Sequence, residues 1–289
     1  MKENGKKTIG VIMLLSVALI FGFSFSIQSI ASSLISPFYL VACRFLFAGI
    51  ILSPVFFFKD DYDKKILLKA GILDGLILYS SSLIQQVAIG HTQAGKTGFI
   101  TTLYIVLVPV FAYIFFKRPI TFKTLMSLIG ALLGLYLLCG LSLNDLQINR
   151  YDLYIIVTAV LFALQIILLE YYSNNTNPLK LLVLAYLVCG ILSLLTAIIS
   201  ERFDINSFYS SIGVILFLGA ITTALGFTLQ VIGQKLIPAT PAALLMSLES
   251  VFSAIGAYLI LHQTLSPKEM IGCAIMFISA VVCQLPERK

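Results

Sequence analysis

The chain has 289 residues, of which 59% are hydrophobic and only 11% charged, with a mean hydropathy of +1.01 and a formal net charge of +6. That balance excludes an ordinary soluble domain and a disordered segment, and it points to an integral membrane protein. The positive excess sits in short loops without interleaved aromatics, so it fits contact with an anionic leaflet and excludes a nucleic-acid surface.

Ten apolar stretches follow one another: 8–28, 36–58, 66–89, 95–116, 122–141, 152–171, 178–199, 211–233, 240–261 and 268–285. Each has about the 20 residues that a helix needs to cross a bilayer core. Backbone groups in lipid must be satisfied internally, and stretches this long do so as helices rather than as barrel strands. The first follows Lys2, Lys6 and Lys7, as a signal peptide would. No small-residue cleavage site ends it and nine more stretches follow, so it reads as an uncleaved first helix. The charged loop Asn144–Asp152 divides the stretches into two sets of five, residues 1–145 and 150–289. Five is odd, so the second set must enter the membrane in the opposite orientation to the first. The expected fold is all-α and integral to the membrane: ten transmembrane helices arranged as two inverted five-helix repeats, with a site near the midplane between them.

The repeat can be traced in the residues. A shift of 141 aligns Ala18 with Ala159, Phe21 with Phe162, Pro37 with Pro178 and Gly49 with Gly190. A shift of 144 aligns Gly75 with Gly219 and Gln86 with Gln230, and one of 145 aligns Ala94 with Ala239 and Tyr113 with Tyr258. Orientation comes from the loops. With the amino terminus inside, only Lys96, Arg150, Arg202 and Lys268 of the 19 basic residues fall outside, and Arg44 falls within the membrane. All the others lie on the side of the termini. Both termini are therefore expected in the cytoplasm, in a cell membrane of the bacterial inner-membrane type.

Cys43, Cys139, Cys189, Cys273 and Cys283 all lie in apolar stretches and read as small packing hydrophobes. No Cys/His spacing suggests a metal, no P-loop suggests bound ATP, and no GxSxG, HExxH or GxGxxG arrangement sits in a context that would confirm it. No cofactor, metal or catalytic residue is expected.

Three charges lie inside the hydrocarbon region: Arg44, Asp74 and Glu249. Each costs about 2.5–3.5 kcal/mol at a helix centre on insertion scales, so each should face protein or water. Glu249 is nearest a segment midpoint, on a face of mostly small residues with Ala242, Met246, Ser253 and Gly256. It reads either as a carboxyl group that binds a proton or a cationic solute group, or as a packed structural acid. Arg44 and Asp74 read first as structural, the first snorkelling or bound to carbonyls and the second capping or pairing near Lys69; the functional alternative for Asp74 is to neutralise a cation path.

Two polar stripes share one spacing: Gly75, Tyr79, Ser82 and Gln86 in the third stretch, and Gly219, Thr223, Gly226 and Gln230 in the eighth. In lipid such a face turns inward, to line a cavity or to glue helices together. Tyr104 is the repeat mate of Glu249, and Thr101 and Thr97 share its face. Ser24 and Gln165 are mates on the first and sixth stretches, with Gln28 nearby. The candidate solute-binding residues are Tyr79, Ser82, Gln86, Thr101, Tyr104, Gln165, Thr223, Gln230 and Glu249, with Glu249 also the candidate proton-coupling site. Phe99 adds ring surface.

Ser36-Pro37-Phe38 leading to Arg44-Phe45-Leu46, Thr92 to Phe99 with Val108-Pro109, and Pro241-Ala242-Ala243-Leu244 with Ser247 to Phe252 occur in an order and spacing that resemble the EamA-type branch of the drug/metabolite transporter superfamily. The resemblance spans essentially the whole chain. It implies ten helices from two five-helix repeats, and export or exchange of small organic solutes such as amino acids, metabolites or drugs. Many members carry a Glu just after helices 4 and 9; here those places hold Lys117-Arg118 and His262-Gln263. The expected function is a secondary transporter working by alternating access, with a small-molecule solute, the lipid bilayer and protons as candidate partners. A lipid-modifying membrane enzyme would need convergent nucleophile, base or metal ligands. A non-transporting receptor or assembly partner would leave the paired stripes without a water-filled purpose.

Reporter fusions test the topology. Fusions after Glu287, in the Lys59–Lys65 loop and in the Lys117–Lys123 loop should read cytoplasmic, and those at Gln147 and Asp204 external. Termini on opposite sides of the membrane would remove the five-plus-five arrangement.

Overall fold

The computed structural model describes residues 2–59, 62–92, 94–138, 150–264 and 266–284. Most of the loop between the two sets of five, with Gln147, lies outside the described residues, as do Gln93, Cys139 and Glu287. The elements are α1 (Lys2–Ala31), α2 (Pro37–Leu52) running into a 3-10 turn at Ser53–Phe57, α3 (Lys64–Ile89), α4 (Ala94–Thr101), α5 (Tyr104–Phe116), α6 (Phe122–Leu138), α7 (Arg150–Ser173) and α8 (Pro178–Ser200). They continue with α9 (Ile205–Phe217), a π-helical stretch at Leu218–Gly226, α10 (Phe227–Leu236), α11 (Ala239–Met246), α12 (Glu249–Leu261) and α13 (Pro267–Gln284). Joined end to end, α4–α5, α9–α10 and α11–α12 each make one span. Among the described residues, nine spans are long and apolar enough to cross a bilayer, and α6, with 17 residues, is the shorter tenth.

Local chemistry sets the helix starts. Pro37 and Pro178 open α2 and α8, where a missing N–H costs nothing. The side chains of Asp63, Asn177 and Asp204 accept from the first free amides of α3, α8 and α9.

The repeat is written in the backbone. α4 and α11 have 8 residues each, α5 and α12 have 13 each, and all their boundaries differ by 145. The second helix of each pair ends on a non-glycine residue in the left-handed conformation, Lys117 at φ 54° and His262 at φ 55°. That conformation is uncommon for side-chain-bearing residues, and these two are repeat mates.

The halves interlock. α1 packs on α10 and α12 of the second half, and α7 packs on α3 and α5 of the first. α2 crosses α8 in a reciprocal contact: Gly49 lies against Leu187 and Gly190 against Leu46, each leucine the repeat mate of the other. α6 and α13 meet at Gly134 and Gly272, each glycine facing the other's carbonyl oxygen. Lipid is as apolar as leucine, so close backbone approach through small residues is what holds such helices together. Large apolar side chains such as Leu133, Ile198, Ile199 and Phe277 are exposed around the outside, where acyl chains cover them.

A β-carbon at Gly272 would lie 2.5 Å from the Gly134 oxygen and 2.5 Å from the Leu138 nitrogen, both backbone atoms. Gly272→Leu should therefore destabilise the bundle by about 1–3 kcal/mol. Gly213→Ala, with nothing within 4 Å of the added carbon, should be close to neutral. Thermal unfolding of the detergent-solubilised variants checks both.

Candidate functional site

Two of the joined spans tighten at their centres. At Thr102–Leu103 the amides of Leu103, Ile105 and Val106 bond three residues back, and at Ser247–Leu248 those of Leu248 and Ser250 do the same. The Thr102 hydroxyl donates to the Gly98 carbonyl at 2.7 Å and that of Ser247 to the Leu244 carbonyl at 2.8 Å, which favours a local change of pitch. Both breaks restart a helix on a polar residue: Tyr104 begins α5 and Glu249 begins α12.

These two residues face a small cavity between the repeats, about 60 Å³ in volume, room for a few water molecules. α1 contributes Phe21, Ser24, Phe25 and Gln28; α2 contributes Arg44; α3 contributes Ser82 and Gln85; α4 and α5 contribute Thr101 and Tyr104. From the second half come Phe162, Gln165 and Ile166 on α7, Thr222 and Thr223 in the π stretch, Phe227 and Gln230 on α10, and Met246 and Glu249.

The walls are held by polar links. The Arg44 guanidinium donates to Gln28 Oε1 at 2.9 Å, and Gln28 Nε2 donates to the Ser24 hydroxyl at 3.1 Å. Gln85 Nε2 donates to Thr101 at 3.1 Å. The Thr102 hydroxyl, whose proton goes to Gly98, lies 3.4 Å from Glu249 Oε1, and the Tyr104 hydroxyl lies against the same carboxyl group. Glu249 also sits in the first turn of α12, where the helix dipole favours negative charge. Phe21 and Phe227 pack with ring centroids 5.0 Å apart.

Of the residues singled out from the sequence, Ser82, Thr101, Tyr104, Gln165, Thr223, Gln230 and Glu249 come together on this wall. Tyr79 and Gln86 do not line it. The Tyr79 hydroxyl shares a 2.7 Å hydrogen bond with Thr196 on α8, and Gln86 Nε2 donates to the Gln28 carbonyl at 3.3 Å. Gly75, at the foot of the same stripe, faces Val188 and the Ala185 carbonyl. The stripe on α3 thus begins as a packing face against α8 and reaches the cavity only at Ser82, where the neighbouring wall residue is Gln85. Phe99 packs in apolar clusters with Leu103 and does not line the cavity. Arg44, read from the sequence as structural, belongs to the wall. Phe21 and Phe162 are wall residues that the sequence marked only as repeat mates.

Two ion pairs tie α7 to the first half near its two ends. Lys96 Nζ lies 2.8 Å from Asp152 at one end, and Arg118 pairs with Glu170 at the other. Among the described residues, no group of three or more His, Cys, Asp or Glu side chains is placed to hold a metal ion.

A family model described as the EamA-like transporter family matches residues 8–140 and 149–284. The chain belongs to that family. It is a multi-pass membrane transporter, and the family match repeats once in each half of the transporter. A curated relative described as an uncharacterized transporter, from Archaeoglobus fulgidus, is 27% identical over 284 residues, covering 98% of this chain and 88% of the relative. A solved structure described only as the crystal structure of a protein superposes with a TM-score of 0.75 at 16% identity, covering 94% of this chain and 95% of the other. That likeness shows the fold.

Cysteine labelling separates wall from packing face. In a background lacking the five native cysteines, Ser82→Cys and Thr223→Cys should react with a small water-soluble thiol reagent in intact vesicles. Tyr79→Cys should react far more slowly. Equal rates at all three would remove the distinction.

Proposed function

We propose that the protein is a secondary transporter that exports or exchanges small organic solutes, such as amino acids, metabolites or drugs, across the cell membrane, with both termini in the cytoplasm. One observation carries this reading: a cation on α2 of the first half and a carboxyl group on α12 of the second open onto the same cavity, Arg44 and Glu249, among the rings of Phe21, Phe25, Phe162 and Phe227. Such a lining suits a solute with an acidic group, a basic group and an apolar body. The guanidinium offers charge-assisted donors to an anion, the carboxyl group receives a cation, and the rings cover the remainder. Ser82, Thr101, Tyr104, Gln165, Thr223 and Gln230 supply the neutral hydrogen bonds. In this reading Tyr79 and Gln86 act from behind the wall, holding α3 to α8 and α1.

Alternating access follows from the way α7 is tied. The side chains of Lys96 and Arg118 are 35% and 53% exposed, so each pair behaves more like a surface latch, worth about 0–1 kcal/mol, than like a buried bridge. In the assumed orientation one latch is external and one cytoplasmic. Rocking of the repeats releases one at a time and opens the cavity to that side. Glu249 is the proposed coupling group: it gives up a proton to receive a cationic solute group and takes one back when the solute leaves.

An untargeted comparison of solutes retained by cells with and without the protein identifies the cargo. Transport of that cargo into reconstituted vesicles then tests the site. Glu249→Gln mimics the protonated carboxyl group; it should fold, bind solute more weakly for want of the negative charge, and lose the response to an imposed pH gradient. Arg44→Gln should raise the half-saturating concentration about tenfold or more, the equivalent of losing a charged hydrogen bond of about 1.5–3 kcal/mol. An equal gradient response in wild type and Glu249→Gln would remove Glu249 as the coupling site.

A further inference from the structure

One charge from the sequence has no place in the cavity wall. Asp74 on α3 is fully buried, at 0% exposure. Neither carboxyl oxygen has a hydrogen-bond partner. Lys69, the partner considered from the sequence, is exposed. An unpaired carboxylate at such a depth is too costly to persist, so the group must either carry a proton or gain a partner.

Among the described residues, the neighbouring elements offer no cation paired with it. On α8, Tyr186 and Cys189 face it, and the Tyr186 hydroxyl is committed to the Thr223 carbonyl at 3.0 Å. On α2, Arg44 lies beyond Cys189 and donates to Gln28 on α1. On α7, the side chain that faces Asp74 is Gln165. Its Nε2 faces the carboxyl group without closing a hydrogen bond of normal length, and it has no other partner.

Gln165 is also a cavity residue. Its Oε1 accepts from Gln230 Nε2 at 3.5 Å, a weak contact, while Gln230 Oε1 lacks a donor. An amide has a donor end and an acceptor end, so it can serve either form of a carboxyl group by turning over. Facing ionised Asp74, Nε2 donates to the carboxylate and Oε1 receives Gln230. Facing protonated Asp74, Oε1 accepts the carboxylic O–H, and Nε2 turns to the open oxygen of Gln230. Each orientation satisfies groups that are orphaned at present. One carboxyl group and one amide do not make the oxygen shell of a metal cation, so the matching ligand is a proton.

We propose that Asp74 is a proton-binding site behind the cavity wall, and that the Gln165 amide transmits its protonation state to Gln230 on the wall. The proton comes from cavity water and returns to it; Gln165 reorients but does not itself carry it. This site is separate from Glu249, and its test needs no knowledge of the cargo.

Infrared spectroscopy of the full-length protein in lipid nanodiscs reads the site directly. At neutral pH the wild type should show protonated-carboxyl C=O absorption, part of which disappears in Asp74→Asn. The same part should persist in Glu249→Gln and shift on transfer to heavy water, because the proton exchanges. Raising the pH should remove it together with a change in glutamine amide absorption. Gln165→Leu should move its frequency and slow its exchange. An absorption unchanged in Asp74→Asn would overturn the proposal, as would an Asp74 proton that never exchanges with heavy water. If Asp74→Asn fails to accumulate, Gln165→Leu decides alone: wild-type frequency and exchange rate in that variant would overturn the link to the wall.

Discussion

In hydrocarbon a polar group has no solvent to fall back on, and every feature of this transporter answers to that constraint. It forces the spans into helices and turns their polar faces inward. It also replaces the hydrophobic effect as the force between helices with close packing of backbone on backbone, as at Gly134 and Gly272. Where polar groups collect faster than they can be paired, the result is a cavity. The unpartnered atoms of Arg44, Gln165 and Gln230 belong to one such region at the junction of the two halves.

The inverted repeat supplies the frame and its departures supply the chemistry. α4–α5 and α11–α12 match residue for residue in length, in central tightening and in their left-handed ends. The charges do not match. By the repeat shifts, Arg44 corresponds to Ala185, Asp74 to Leu218 and Glu249 to Tyr104. A symmetric pair of carboxyl groups in one buried site would repel, and a symmetric pair of guanidiniums likewise. Placing each charge in one half only lets a pseudo-symmetric scaffold present a polar site with distinct ends. The π stretch at Leu218–Gly226 is a further departure, since its mate in α3 is regular helix. Single-turn π segments cluster at functional sites, and this longer one carries Thr222 and Thr223 to the wall.

Backbone packing and ion pairing divide along the same lines. The α6–α13 and α2–α8 crossings bring backbone close to its neighbours and leave little room for sliding. α7, by contrast, is tied near its ends by ion pairs whose basic partners reach solvent. It is also packed along its length against α3 and α5 and carries one cavity residue, Gln165.

The sequence by itself determined the ten spans, the division into inverted halves and the family, because hydropathy over about 20 residues and the spacing of the repeat are one-dimensional signals. It also determined that Arg44, Asp74 and Glu249 turn away from lipid, since the cost of exposing them there is large. Which neighbour each one meets is a three-dimensional matter. The spacing of 4, 3 and 4 along α3 correctly marks a face, but α3 crosses α8 along that face before it reaches the cavity. Tyr79 therefore bonds to Thr196, and Gln85 rather than Gln86 lines the wall. Arg44 looked structural because its depth along α2 is legible in the sequence while the direction of its side chain is not. The tertiary structure decided these points because helical phase is local, whereas the crossing of helices from opposite halves depends on where glycines let their backbones meet.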